Sequence, residues 1–214
     1  MNRGIIEFSR EEIGRMAHRL DGMPRSIGND EISLLPLGAY EGPVEVVDSQ
    51  SALNTALEVM RTWDITGIDT ESRPAFRKGE KNPPALLQVA GPGMVFLFRL
   101  NKLGFAPGLR SFMNNKDILK VGIALENDLP ELLQMGRFSP AALVDLNQLC
   151  TRLGFQSIGA RKLAALFLSI RISKGQQTSN WENDPLKPAQ ILYAATDAWI
   201  CREIFLKIMG ISQS

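Results

Sequence analysis

The chain has one histidine, His18, and two cysteines, Cys150 and Cys201, among its 214 residues. So few leave no CxxC pair and no Cys/His cluster, which argues against a zinc centre. Two distant cysteines in a chain of this size fit a reduced, cytoplasmic protein better than a disulfide scaffold. No apolar run approaches the length of a bilayer span. The start, Met1-Asn2-Arg3-Gly4-Ile5-Ile6, passes at once into charged residues and lacks the apolar stretch of a signal peptide. These absences place the chain in the cytoplasm with no membrane partner. Charge of one sign is also lacking: 24 Lys+Arg stand against 23 Asp+Glu. A polycation is excluded, and any nucleic-acid contact must come from local basic patches. Neither an internal repeat nor a low-complexity tract occurs, which excludes a solenoid.

What is present suits one α/β domain with a short extension, since 44% hydrophobic content is ample for a core. Residues 1–43 read as an N-terminal extension. Ser9 and Glu12 form a capping-box pair ahead of Ile13, Met16, Ala17 and Leu20 at helical spacing. Residues 24–43, rich in Gly, Pro and Ser, read as a linker or draping loop. Residues 44–214 read as the main domain. Val44–Val47 is a strand, Asp48 or Ser49 caps a helix, and Ile65–Glu71 is the next strand. Ala85–Ala90 and Met94–Leu100 form a hairpin across Gly91-Pro92-Gly93. Ile118–Ile123 and Leu143–Leu146 are further strands. A helix is expected from about Asp128, another capped by Ser157, and a long last one opened by Pro188 with Gly210 past its end. The order predicts an α/β fold, a mixed sheet with an antiparallel meander and helices on both faces.

Five residues in three places carry chemistry. Asp69 and Glu71, two apart on a strand, project from one face. They make either a solvated strand end or a pair that repels unless a cation lies between. Asp128 follows a strand and precedes a helix, where, taken alone, a capping box with Glu131, or a cap by Asn127, is the favoured explanation. Tyr193 and Asp197 share a face of the last helix at i, i+4, a pairing that a plain surface contact also explains. Together they make an oxygen-rich set of the kind magnesium and manganese prefer.

In this order the segments resemble those of the DEDD 3'–5' exonucleases, in the tyrosine-bearing branch that includes ribonuclease D and the Werner syndrome helicase exonuclease domain. Gly67-Ile68-Asp69-Thr70-Glu71 resembles the first motif and Ala85-Leu86-Leu87-Gln88-Val89 the strand after it. Lys120-Val121-Gly122 through Asn127-Asp128 resembles the second motif. Tyr193-Ala194-Ala195-Thr196-Asp197-Ala198 resembles the third, approached by Ser179-Asn180-Trp181 and Asp184-Pro185-Leu186. The resemblance implies a ribonuclease-H-like fold and hydrolysis of DNA or RNA from the 3' end to nucleoside 5'-monophosphates. It implies two Mg2+ or Mn2+ ions, held by Asp69, Glu71 and Asp197, with Asp128 in support. Tyr193 is implied to position the attacking water. An unperturbed tyrosine, with a pKa of about 10, is a poor base, so orientation is the role assigned to it. The histidine-bearing branch is excluded, because His18 lies in the extension.

The implied substrate is single-stranded nucleic acid or the 3' end of a duplex. Candidate contacts are Arg73, Phe76, Arg77 and Lys78 in the basic loop after Glu71, and Lys174 beside Arg161, Lys162 and Arg171. Phe76 is a candidate for stacking on a base, and so is Trp181, where a tryptophan is more often a packing anchor. Two alternatives accompany this reading: a nuclease trimming very short oligoribonucleotides, and a catalytically silent binding module. No protein partner is implied.

Overall fold

The structure, a computed structural model describing residues 4–75 and 82–211, begins with helices α1 (Arg10–Arg19) and α2 (Asn29–Leu34). Strand β1 (Val44–Val47), helix α3 (Gln50–Met60) and strands β2 (Ile65–Ser72), β3 (Pro84–Gly91) and β4 (Met94–Arg99) follow. Next come α4 (Leu100–Leu103), α5 (Pro107–Asn114), β5 (Leu119–Gly122), α6 (Leu125–Met135) and β6 (Leu143–Asp145). The chain then forms α7 (Leu146–Arg152), α8 (Ala160–Leu168) and the 22-residue α9 (Pro188–Met209).

The six strands form one mixed sheet in the order β1-β4-β3-β2-β5-β6. β2, β3 and β4 make the antiparallel meander, while β1–β4, β2–β5 and β5–β6 pair in parallel. The two-residue turn between β3 and β4 is closed by Gly93 at φ 68, a left-handed position that suits glycine. β3 is buried on both faces along its whole length, as expected of a central strand between helical layers.

Alternation sorts the side chains into those layers. Ile68, Leu87, Val89, Phe96 and Phe98 point to one face and pack with α3, α5 and α6. On the other face α9 lies along the sheet, with Leu86, Ala90, Val95 and Leu97 against Ala194, Ala195 and Ala198. Small residues at those helical positions bring the α9 backbone close. At Gly67 a Cβ would lie 1.9 Å from the Ala198 carbonyl oxygen, so only glycine fits where α9 crosses β2. Arg202 ties the same crossing by donating from Nε to the Ile65 carbonyl at 3.1 Å. Beyond it, α1, α7 and α8 pack around the C-terminal half of α9.

The N-terminal segment drapes over this body but is more ordered than a linker. The Ser9/Glu12 capping box forms at the start of α1, and Met16 and Leu20 are buried. Residues 4–6 lie along the outer edge of β6, with Ile6 N–H donating to the Leu143 carbonyl at 2.8 Å and Leu143 N–H to that of Gly4 at 3.0 Å. Covering an edge strand in this way removes unpaired backbone groups. Within the stretch read as loop, α2 forms and buries Ile32 completely. Two helix starts differ from expectation. α8 begins at Ala160 after Gly159, and the Ser157 hydroxyl instead accepts from Ile27 N–H of the N-terminal segment at 3.2 Å. α6 begins at Leu125, so Asp128 lies inside the helix and caps nothing.

Candidate active site

Asp69 and Glu71 leave β2 on the face covered by α9, two and four residues beyond the glycine that admits the helix. The helix presents Asp197 at that level. One carboxylate oxygen from each of Asp69, Glu71 and Asp197 lies within 4.8 Å of the other two. Asp197 is only 7% exposed, so its charge is withdrawn from water at the point where two others converge. Three hard oxygen donors so disposed match what a divalent magnesium or manganese ion takes, and the residues present fit such an ion.

Asp128 stands outside that trio. Thr70, pointing away from its neighbours on the strand, donates from Oγ1 to Asp128 Oδ1 at 2.7 Å. Asp128 is thereby moored beside the trio from the α6 side of the sheet. A second buried acid, Asp145, orders α6. Its Oδ2 accepts from Leu125 N–H at 2.7 Å, and its Oδ1 from Asn147 N–H at 2.8 Å at the start of α7. The sequence reading missed Thr70 and Asp145; their partners are distant along the chain, and no local spacing marks them. Gly67 was missed too, although an isolated glycine inside a strand pattern is a signal of close backbone approach.

Electrostatics state the same geometry in another form. Burial, reinforced by Asp197, Asp128 and Glu71, lifts the Asp69 carboxyl well above the usual carboxylate range. Burial with Asp197 and Asp128 pushes Glu71 up to about 9. Asp197 is pushed up to about 7 by burial, against a lowering contact with the Tyr193 hydroxyl. Asp128 is pushed to about 6 by burial, with the Thr70 hydroxyl working the other way. Tyr193 itself is raised by burial and by the adjacent carboxylates. Its hydroxyl therefore stays protonated at neutral pH and is a donor, not a base.

Tyr193 and Asp197 depend on where α9 starts. Lys187 occupies the N-cap without a side-chain cap. Gln190 compensates: its Oε1 accepts from Lys187 N–H at 3.0 Å, while its Nε2 donates to Ser179 Oγ at 2.6 Å and to the Asn180 carbonyl at 2.9 Å. The helix start is thus knotted to the preceding loop. Trp181, in that loop, is completely buried and packs against the Tyr193 ring, centroids 5.9 Å apart. This corrects its assignment as a nucleic-acid contact: a ring enclosed by protein has no face left for a base, and it backs Tyr193 instead.

The other candidate contacts separate. Lys174 is exposed and lines a hollow of ≈ 300 Å³ with Arg161, Lys162, Asn29, Tyr193 and Asp197. The first turn of α8 opens into it. Arg171 is spent on structure, its Nε donating to the Leu35 carbonyl at 3.0 Å. Arg73 is exposed beside the site and pairs with Glu182 at 3.3 Å. Phe76, Arg77 and Lys78 lie outside the described residues. A second hollow of ≈ 210 Å³, also bordered by Tyr193 and Asp197, is walled by Leu37, Ala39 and Leu192. The N-terminal segment therefore lines both hollows. Tyr40 N–H donates to Thr196 Oγ1 at 3.1 Å, next to Asp197, and Gly38 N–H donates to the Arg171 carbonyl at 2.9 Å.

A mixed sheet flanked by helices, with acids converging where a central strand meets the last helix, defines a ribonuclease-H-like nuclease domain. A family profile described as 3'-5' exonuclease matches residues 44–211, and the chain belongs to that family. It is 31% identical over 175 residues to exonuclease 3'-5' domain-containing protein 2 of Drosophila melanogaster, covering 77% of this chain and 30% of that protein. It is 27% identical to ribonuclease D of Bartonella henselae, over 83% of this chain and 44% of that one. The chain thus spans less than half the length of these relatives. Among solved structures, the Nibbler EXO domain of Aedes aegypti superposes with a TM-score of 0.73 at 24% identity, over 81% of this chain and 92% of that one. Escherichia coli ribonuclease D superposes with a TM-score of 0.71 at 22% identity, over 78% and 44%. No helix among the described residues is long and apolar enough to cross a membrane.

Proposed function

We propose that this chain hydrolyses the terminal phosphodiester bond of a nucleic-acid strand from its 3' end, releasing nucleoside 5'-monophosphates with the help of two divalent cations. The observation that carries the reading is the convergence of Asp69, Glu71 and Asp197, with Tyr193 on the same helix and Asp128 moored alongside by Thr70. When bound, Mg2+ or Mn2+ supplies an activated water and neutralises charge on the departing oxygen. The trio holds the cations, and Asp128 supports the site. The Tyr193 hydroxyl, which keeps its proton, orients the attacking water by hydrogen bonding. Asp197 stands beside that hydroxyl, and Trp181 fixes the ring from behind.

Substrate phosphates enter through the hollow lined by Arg161, Lys162 and Lys174, where the first turn of α8 adds unpaired N–H groups and a positive helix end. Arg73, exposed two residues after Glu71, is a second phosphate contact, and Phe76, Arg77 and Lys78, close to it in the sequence, are further candidates. A silent binding module is disfavoured because all four carboxylates and the tyrosine are in place. One relative is named as a bifunctional exonuclease and ATP-dependent helicase, and another is described as an exoribonuclease in structured RNA processing.

The test is a series of 5'-labelled single-stranded DNA and RNA oligonucleotides of graded length, incubated with manganese, magnesium or EDTA beside Asp69→Asn. The expected result is a metal-dependent ladder that shortens from the 3' end, with the variant reduced at least about a thousandfold, since removing one essential group of a concerted site abolishes most of its effect. Intact substrates, with folded protein and bound metal, reject the nuclease reading. A ladder from the shortest RNA substrates alone favours the oligoribonucleotide-trimming alternative.

A further inference from the structure

Gln88 is a polar residue in the core that the fold leaves unused. It lies in the middle of β3 with no exposed surface, and neither its Oε1 nor its Nε2 has a hydrogen-bond partner among the described residues. A buried amide in that position loses its hydration and regains nothing, and native cores keep few such groups. An aliphatic side chain of similar size fills the space without that penalty. The residues in register on the same row do so: Leu97 on β4 and, beyond it, Val46 on β1.

On its other side Gln88 is in register with Asp69. Directly opposed residues of an antiparallel pair project from the same face, with Cβ atoms about 4.5–5.5 Å apart. The rows above and below fix which face it is. Gly67 pairs with Ala90 and Glu71 with Leu86; Gly67 faces the Ala198 carbonyl, and Leu86 and Ala90 pack with Ala194 and Ala198. The amide therefore enters the layer between sheet and α9 that holds the carboxylate trio. It carries two N–H donors and a carbonyl acceptor, and its cross-strand neighbour is an acid with lone pairs to offer.

We propose that Gln88 is a positioning residue for Asp69: its Nε2 donates to the Asp69 carboxylate when that group holds a cation, fixing which oxygen faces the ion. The inference rests on the reading of Asp69, Glu71 and Asp197 as a cation site. Outer hydrogen bonds of this kind set the orientation of ligating carboxylates and strengthen metal binding by roughly ten- to a hundredfold.

The test titrates Mn2+ and Mg2+ into the full chain as wild type, Gln88→Leu and Gln88→Asn, following binding heat by calorimetry and the thermal midpoint with and without metal. Without metal, Gln88→Leu is expected to melt no lower than wild type, because an unpartnered amide has been replaced by apolar bulk. Its Kd for the cation is expected to rise by roughly ten- to a hundredfold, and the metal-dependent gain in midpoint to shrink with it. Gln88→Asn, which keeps the amide on a shorter stem, is expected to fall between. This opposition of signs separates positioning from packing, since a merely structural residue moves both states down together. A wild-type Kd in Gln88→Leu overturns the positioning role and assigns the amide to a buried water, while leaving the cation site standing. Absence of cation binding by the wild type overturns the cation site and this inference with it. Should Gln88→Leu fail to fold, Gln88→Met, unbranched and adaptable, carries the same comparison.

Discussion

The crossing of α9 over β2 and the N-terminal segment that wraps the same helix are held by opposite means. At the crossing, backbone rests on backbone through Gly67, four acids are held above their ordinary pKa values, and Gln88 is buried with no partner among the described residues. In the wrap, Met16, Leu20 and Ile32 are buried, and backbone groups pair off, as Gln156 N–H does with the Arg25 carbonyl at 2.8 Å. The first region gathers groups whose burial and mutual repulsion oppose folding. The second supplies apolar burial and paired backbone groups, although the side-chain atoms Arg25 Nη1 and Tyr40 Oη are buried in it with no partner among the described residues. Sites of function are commonly drawn from residues that lower stability, offset elsewhere in the fold. Here the two kinds of residue meet at Thr196, which accepts a bond from the wrap one position before Asp197.

The contrast is broken most severely at Gly67. Gly67→Ala places a methyl group inside the Ala198 carbonyl, so α9 must lift and carry Asp197 and Tyr193 with it. Exonuclease activity is expected to fall at least about a hundredfold, the order of loss for a displacement near 1 Å. Overpacking is expected to lower stability by about 1–3 kcal/mol in a denaturant melt. Full activity in this variant would show that the close crossing does not set the site geometry.

Ile32→Ala tests the wrap. Truncating a fully buried isoleucine is expected to lower stability by about 2–5 kcal/mol, while the cation Kd by calorimetry stays at the wild-type value. A change in Kd as large as that of a trio variant would show that the wrap shapes the metal site and does not only brace it.

The smallest effect is a pH dependence confined to the crossing. Burial pushes Asp128, Asp197 and Glu71 up to about 6, about 7 and about 9 in the folded chain, from ordinary values of 3.8, 3.8 and 4.5. Raised values mean that the folded state binds more protons than the unfolded state between about pH 4 and about pH 9. Metal-free stability therefore falls as pH rises through that window. A cation needs the ionised carboxylates, so its stabilising effect grows over the same range. Thermal midpoints at pH 5 and pH 8 (roughly the middle of the window), with and without Mg2+, are expected to diverge as pH increases. A metal-free midpoint that climbs over this range would contradict the repulsion described for the trio.

The parts of the site that were legible in the sequence are those whose geometry is local. Asp69 and Glu71 share a face because strands repeat every two residues, and Tyr193 and Asp197 because helices nearly repeat every four. The β3–β4 hairpin was legible through Gly91-Pro92-Gly93 for the same reason. Residues 101–117 were passed over, although α5 opens with Pro107 at its first turn, a usable start signal. Asp128 was taken for a possible cap because the helix start was placed three residues late. The true start at Leu125 is capped by Asp145, 20 residues downstream. For Trp181 both a stacking role and a packing anchor were open, because aromatic character is visible in a sequence and burial is not; its complete burial selects the anchor. The stretch 24–43 was read as loop from its Gly and Pro content, yet it contains α2 and walls the hollows beside Tyr193.

By itself the sequence determined the α/β class, the pairing of acids within each motif and the family to which those motifs belong, because each follows from residue type and short-range periodicity. Only the tertiary structure decided that Asp69, Glu71 and Asp197 meet within 4.8 Å, that Thr70 holds Asp128, that Trp181 turns inward and that Gln88 lies buried in register with Asp69. Those facts depend on α9 settling across β2 at Gly67. That contact joins segments more than a hundred residues apart, and packing fixes it where no local spacing encodes it.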